Sequence, residues 1–139
     1  MTEKVTVRQK SNFEIQFRAT NPDENDSELY QVDSVYALTP YTMLLASLGA
    51  CTTIVLHTFA QNHGINLDIA EATVEYRRDF KQDCEDCEHI DRYEEHISES
   101  VSLEGDLSEQ EREKLQTISQ KCSIHKILED GVRIVHPAK

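Results

Sequence analysis

Positive charge is scarce in this chain. Against 26 Asp and Glu it sets only 14 Lys and Arg, for a formal net charge of −12 over 139 residues. A surface this acidic repels phosphate backbones, so neither nucleic acid nor an anionic membrane is expected as a partner. A long unbroken apolar run is also missing. The stretch from Met43 to Ala60 is interrupted by Ser, Thr, Gly and His, and it reads as a buried helix rather than a membrane span. The N-terminal MTEKVTVRQK holds no apolar signal region, which makes the cytoplasm the expected compartment. Internal repeats and low-complexity linkers are absent, and the length fits a single domain, 1–139. Cysteines number only four. In a cytosolic chain they point to reactive thiols, a metal site or small buried apolar residues, not to a disulfide scaffold.

The apolar residues that are present come in periodic runs. Val5 and Val7, then Phe13, Ile15 and Phe17, alternate with polar residues, which predicts a β-hairpin. A polar break, Asn21 to Asp26, precedes a short expected strand from Glu28 to Val35. Thr39-Pro40 has the form of a helix start, with Thr39 as cap and Pro40 in the first turn. That helix is expected to reach Asn62 and stop at Gly64. Leu44, Leu45, Leu48, Cys51, Val55, Leu56 and Phe59 cover most of its circumference. A helix apolar all round needs burial all round, and one short chain has little with which to provide it. Alternation returns in 67–80 and in 90–104, where Tyr93, Ile97, Val101 and Leu103 share one phase. Ser108 with Glu111 forms a capping box that opens a second helix, expected to end near Cys122. A short continuation, Ile124 to Leu128, and a last strand, Val132 to Val135, complete the expected α+β order.

Two segments carry a resemblance. Thr39-Pro40-Tyr41-Thr42-Met43-Leu44-Leu45-Ala46-Ser47-Leu48-Gly49-Ala50-Cys51-Thr52 resembles the Pro-Tyr-Glu-Leu-Leu-Leu-Ala-Ser-Leu-Gly-Ala-Cys-Thr stretch of OsmC-like proteins. Gly105-Asp106-Leu107-Ser108 through Lys121-Cys122-Ser123-Ile124-His125-Lys126-Ile127-Leu128 is similar to that family's Gly-Asp-Leu … Lys-Cys-Pro-Val-His segment. The chain thus resembles the OsmC/Ohr family (osmotically inducible protein C, organic hydroperoxide resistance), in its OsmC-like branch. The resemblance implies an OsmC-like fold, with antiparallel sheets packed around a long buried central helix. It also implies an intertwined homodimer with its active sites at the subunit interface. The implied reaction is hydroperoxide reduction. Cys51 would attack the hydroperoxide and become a sulfenic acid, Cys122 would condense with it, and an external dithiol would reduce the disulfide. No cofactor and no metal are expected.

A cysteine must be a thiolate to attack, and a free thiol titrates near ~8.5. Cys51 lies about three turns into its helix, too deep for that helix's own dipole to help. Burial alone disfavours the thiolate, so a cation or donor must arrive from elsewhere in the fold. The family supplies an arginine held by a glutamate; here the glutamate position is Thr42, and no arginine lies between Arg18 and Arg77. Arg18, Arg8, His57 or a residue of a second subunit could take the arginine's place, and Arg18, Thr42 and His125 are the candidate supporting residues. Ser123 stands where the family has proline. His57, on the apolar helix, reads as a hydrogen-bonded interior histidine. Cys84-x-x-Cys87 with His89, set among Asp83, Glu85, Asp86 and Glu88, is half of a zinc site and lacks a second ligand pair. Two alternatives to the peroxidase stay open. One is a non-catalytic dimer on the same scaffold that binds a small apolar ligand; the other is a metal-binding module built on the Cys84–Cys87 loop.

Overall fold

Alternation in the first twenty residues builds the expected hairpin, β1 (Thr2–Lys10) and β2 (Ile15–Ala19). The computed structural model describes residues 2–24, 26–80 and 93–138. The Cys84–Cys87 loop and His89 lie outside the described residues. A two-residue strand, β3 (Tyr30–Gln31), pairs with β2. The strand expected from Glu28 to Val35 is this short because Ser34 caps a 3-10 turn at Val35–Ala37, its hydroxyl accepting from the Tyr36 N–H. Then come α1 (Pro40–Asn62), β4 (Asn66–Phe80), β5 (Tyr93–Asp106), α2 (Glu109–Ile118) and α3 (Ser123–Asp130). The strands form one antiparallel five-stranded sheet in the order β3-β2-β1-β4-β5. The protein is therefore α+β, with a single sheet among the described residues of the chain.

Both helix starts follow their sequence signals. Thr39 and Thr42 form a reciprocal capping box around Pro40, and the Thr39 hydroxyl also donates to Glu3 Oε1 at 2.7 Å, tying the helix to β1. Ser108 and Glu111 form the second box. The end of α1 comes at Gly64, whose φ of 63° suits a residue without Cβ.

Register decides what faces α1. Val5 opposes Ala19 and Val74, and Val7 opposes Phe17 and Ala72. These residues join Leu45, Leu48, Tyr76 and Cys122 in the larger core cluster. A second cluster, Leu56, Ala60, Leu67, Ala70, Leu103 and Leu115, closes the other end of the helix under α2. Gly49 is where α1 comes nearest the sheet: a Cβ there would lie 2.6 Å from Val7 Cγ2. His57 is buried, and its Nε2 meets the Gln9 carbonyl at 2.8 Å, as an interior histidine should.

As expected for one short chain, the helix is not covered on all sides: Met43, Leu44 and Ile54 on it remain exposed. One further expectation changes. Val132 to Val135 form no strand; these residues carry no regular structure, and Val132, Ile134 and Val135 stand well exposed. An alternating segment becomes a strand only when a sheet edge pairs with it, and no described edge of this chain does so.

Candidate thiol site

The site forms where the second half of the chain returns to α1. After α2, the 3-10 turn Ser119–Lys121 swings the backbone so that Cys122 is extended, with φ −79° and ψ 151°. Cys122 is thus not the tail of the second helix, as its apolar pattern suggested, but the N-cap of the next. Its Sγ accepts a hydrogen bond from the His125 N–H at 3.2 Å, the role usually taken by Ser or Asp. The start of α3 therefore points its free N–H groups at α1.

Cys51 is the residue they meet. Half-buried on α1, it lies 3.8 Å, Sγ to Oγ, from Ser123. Burial raises its thiol, but four groups outweigh that: the Ile124 N–H, the Cys122 thiol, the Ser123 hydroxyl and the Ser123 N–H, which together hold Cys51 below the ordinary thiol value. Cys122 is pushed the other way. It is buried, and burial and the neighbouring Cys51 favour its protonated form against the His125 N–H and the Thr52 hydroxyl. Of the two thiols, Cys51 is therefore the more readily ionised and Cys122 the less. Both cysteines are free.

The other candidate residues sit elsewhere or act differently. Arg18 lies on the sheet face away from α1, because it pairs with Thr6 one step out of phase with Val5 and Val7. Its Nη2 donates to the Leu29 carbonyl at 2.9 Å, and it lines a cleft with Arg8 and Glu71. It does not serve Cys51 within the chain. Thr42 is buried in the capping box, nine positions before Cys51, or ~13 Å along the helix axis. Its hydroxyl is spent on the Thr39 backbone. His125 reaches Cys122 through its backbone N–H. Among the described residues no group of three His, Cys, Asp or Glu converges as a metal site would require.

Sequence reasoning missed two residues. Thr52 is fully buried, and its Oγ1 lies 3.0 Å from the Leu48 carbonyl, 2.9 Å from Glu99 Oε2 and 3.9 Å from Cys122 Sγ. Glu99 holds a half-buried carboxylate, raised by burial above the usual carboxylate range and pulled back by Thr52 and by the charge of His125. A signal for it existed. Glu99 shares the apolar phase of Ile97, Val101 and Leu103, and a carboxylate at an inward position of a strand asks for a reason.

Beside the thiols a cavity of about 920 Å³ opens between α1, β5 and α3. Leu44, Leu48, Ile97 and Leu128 line it together with Glu99 and His125. No cysteine lines it; Cys122 lines a separate pocket with Ser123 and His125.

The family model described as OsmC-like protein matches residues 32–136. No curated protein matches the chain. Among solved structures, an OsmC-like hydroperoxide resistance protein from Jannaschia sp. CCS1 aligns with a TM-score of 0.62 at 16% identity, over 99% of this chain and 93% of that one. Identity this low makes the likeness one of fold.

Proposed function

The chain belongs to the OsmC-like family, and from that premise we propose that it is a thiol-dependent hydroperoxide reductase in which Cys51 attacks and Cys122 resolves. One observation carries the reading: Cys51 faces the N–H groups that open α3, while Cys122 caps that same helix. The donors needed for a thiolate come from a helix N-terminus and from Ser123, in place of an arginine.

The chemistry then runs in two steps. The Cys51 thiolate attacks the outer oxygen of a hydroperoxide; the O–O bond breaks, and the alkoxide leaves and takes a proton from solvent. Cys51 becomes a sulfenic acid. Cys122 then attacks the Cys51 sulfur, the S–O bond breaks, and one water is released as the disulfide forms. An external dithiol restores both thiols. Leu44, Leu48, Ile97 and Leu128 on the wall of the adjoining cavity favour organic hydroperoxides. A homodimer is part of the proposal, supported by Met43, Leu44 and Ile54 left exposed on α1 and by the exposed C-terminal segment. So is a cytoplasmic location, where a dithiol pool keeps such a pair reduced.

A second reading rests on the same cavity: a non-catalytic dimer that holds a small apolar ligand beside Leu44, Leu48 and Ile97. Hydroperoxide consumption decides between the two. With dithiothreitol as reductant, the wild-type protein should consume cumene hydroperoxide over many turnovers and Cys51→Ser should consume none. Equal consumption by both proteins would leave the ligand-binding reading.

A further inference from the structure

Closing the disulfide requires Cys122 to lose a proton, yet burial makes it the more reluctant acid of the pair. We propose that Glu99 takes this proton from Cys122 through the hydroxyl of Thr52. The proposal depends on the peroxidase reading for the natural oxidant, but not for the closure itself.

The geometry is a short relay. Thr52 Oγ1 stands 2.9 Å from Glu99 Oε2 and 3.9 Å from Cys122 Sγ. A hydroxyl has one proton and two acceptor positions. While Glu99 is a carboxylate, it attracts that proton more strongly than the neutral Leu48 carbonyl does. The Thr52 hydroxyl is placed to donate to Cys122 Sγ; once its proton turns to Glu99, the oxygen is left to accept from the Cys122 thiol. When the Cys122 proton moves to Thr52 and the Thr52 proton to Glu99, the bonds reverse. The hydroxyl now donates to the Cys122 thiolate and accepts from the carboxylic acid. The thiolate attacks the Cys51 sulfenic acid, the S–O bond breaks, and hydroxide departs. Glu99 releases its proton through the cavity it lines, and the sum is one disulfide and one water.

The surroundings suit a carboxylate that takes up a proton more readily than a solvated one. Glu99 sits half-buried with its carboxylate shifted upward by desolvation. The titratable groups sharing its cavity are Tyr41 on α1, Tyr76 on β4, Glu95 on β5, and His125 and Glu129 on α3. Glu95 is engaged by the Tyr76 hydroxyl at 2.7 Å. Arg78 pairs across the strands with Glu95, not with Glu99, whose cross-strand partner is Val74. Of these groups, His125 is the one whose charge lowers Glu99. Thr52 itself is fully buried, which shields the relay from exchange with bulk water at its midpoint.

The test follows closure separately from oxidation. Full-length reduced protein is mixed with one equivalent of cumene hydroperoxide between pH 5 and 8. Cys51 sulfenic acid is trapped with dimedone, and the Cys51–Cys122 disulfide is measured by mass mapping. Glu99→Gln should slow closure by roughly tenfold or more and let sulfenic acid accumulate. It should also erase the acid limb of the closure profile, where the wild-type rate falls as Glu99 protonates. Thr52→Val should slow closure similarly, and Thr52→Ser should recover most of what Thr52→Val loses, since only the hydroxyl matters. A merely structural role for Glu99 would lower stability without removing the acid limb. The same variants are then closed with diamide, which activates Cys51 without peroxide. A slowed closure there keeps the relay standing even if hydroperoxide fails to oxidise Cys51, an outcome that counts against the peroxidase reading alone. Wild-type and Glu99→Gln proteins closing at equal rates with the same pH profile, or no Cys51–Cys122 disulfide by either route, would overturn the relay.

Discussion

Two cysteines of the same chain, in contact, differ in what surrounds them. Cys51 receives N–H and O–H donors at the start of α3, and its thiol is lowered despite burial; Cys122 is the more deeply buried and is raised. A lowered thiol is reactive above its own titration point and falls silent as pH drops through it. The iodoacetamide reaction of Cys51 should therefore reach half its maximum at a lower pH than that of an unperturbed thiol measured alongside, with Cys122 responding only at higher pH. Alkylation followed by peptide mapping checks both; Cys122 reacting first would reverse the assignment. Ser123 offers a finer test. It is the first residue of α3, where proline is tolerated because the N–H has no helical partner. Ser123→Pro removes both its hydroxyl and its N–H from Cys51, while Ser123→Ala removes the hydroxyl alone. Neutral-pH alkylation of Cys51 should slow roughly two- to tenfold in the alanine variant and further in the proline variant. Rates unchanged in both would show that these donors do not set the thiolate. None of this was readable from the sequence. The resemblance named both cysteines, but the empty arginine position pointed to a poorly supported thiolate. A cysteine is an unusual N-cap, so nothing in Lys121-Cys122-Ser123 marked a helix start aimed at Cys51.

At the scale of elements, the contacts that place Cys51 are those between α1 and the sheet. Gly49, two residues before Cys51, lets the helix lie directly on Val7, where an added Cβ would fall 2.6 Å from Val7 Cγ2 and 3.4 Å from Val74 Cγ2. Gly49→Ala must push the helix outward and should cost ~1–3 kcal/mol, read from the urea midpoint. An unchanged midpoint would mean that the sheet yields freely there. The elements legible in advance were those with local signals: the Thr39-Pro40 cap, the Gly64 stop, the Ser108–Glu111 box and the alternation of β1, β2, β4 and β5. Where the sequence misled, the deciding contact was remote. The Glu28–Val35 segment and Val132–Val135 both alternate, but only Tyr30–Gln31 found an edge to pair with. Glu99 carried its signal openly, as an acid in an apolar phase; its partner Thr52, 47 positions away, did not.

At the scale of the whole molecule, exposed apolar surface marks what one chain leaves unfinished. Met43, Leu44 and Ile54 on α1, Ile127 and Leu128 on α3 and Ile134 in the last segment, 76% exposed, all face solvent in the single chain. Apolar surface of this extent predicts association. Sedimentation equilibrium at micromolar concentration should give twice the chain mass, and Ile54→Glu should shift the balance toward monomer. A folded wild-type monomer at that concentration would contradict the dimer. A second chain seated on this surface would also bear on chemistry, because the cavity beside Glu99 and His125 lies next to the exposed Leu44 and Leu128.

The central claim is that Cys51 and Cys122 form one redox pair. Its most direct test is peptide mapping of the reduced, full-length protein after one equivalent of an organic hydroperoxide, with free thiols blocked before digestion. The predicted product is a single crosslinked species joining the Cys51 and Cys122 peptides, fully reversed by dithiothreitol. Cys51 recovered as a free thiol while Cys84 and Cys87 carry the oxidation would contradict it.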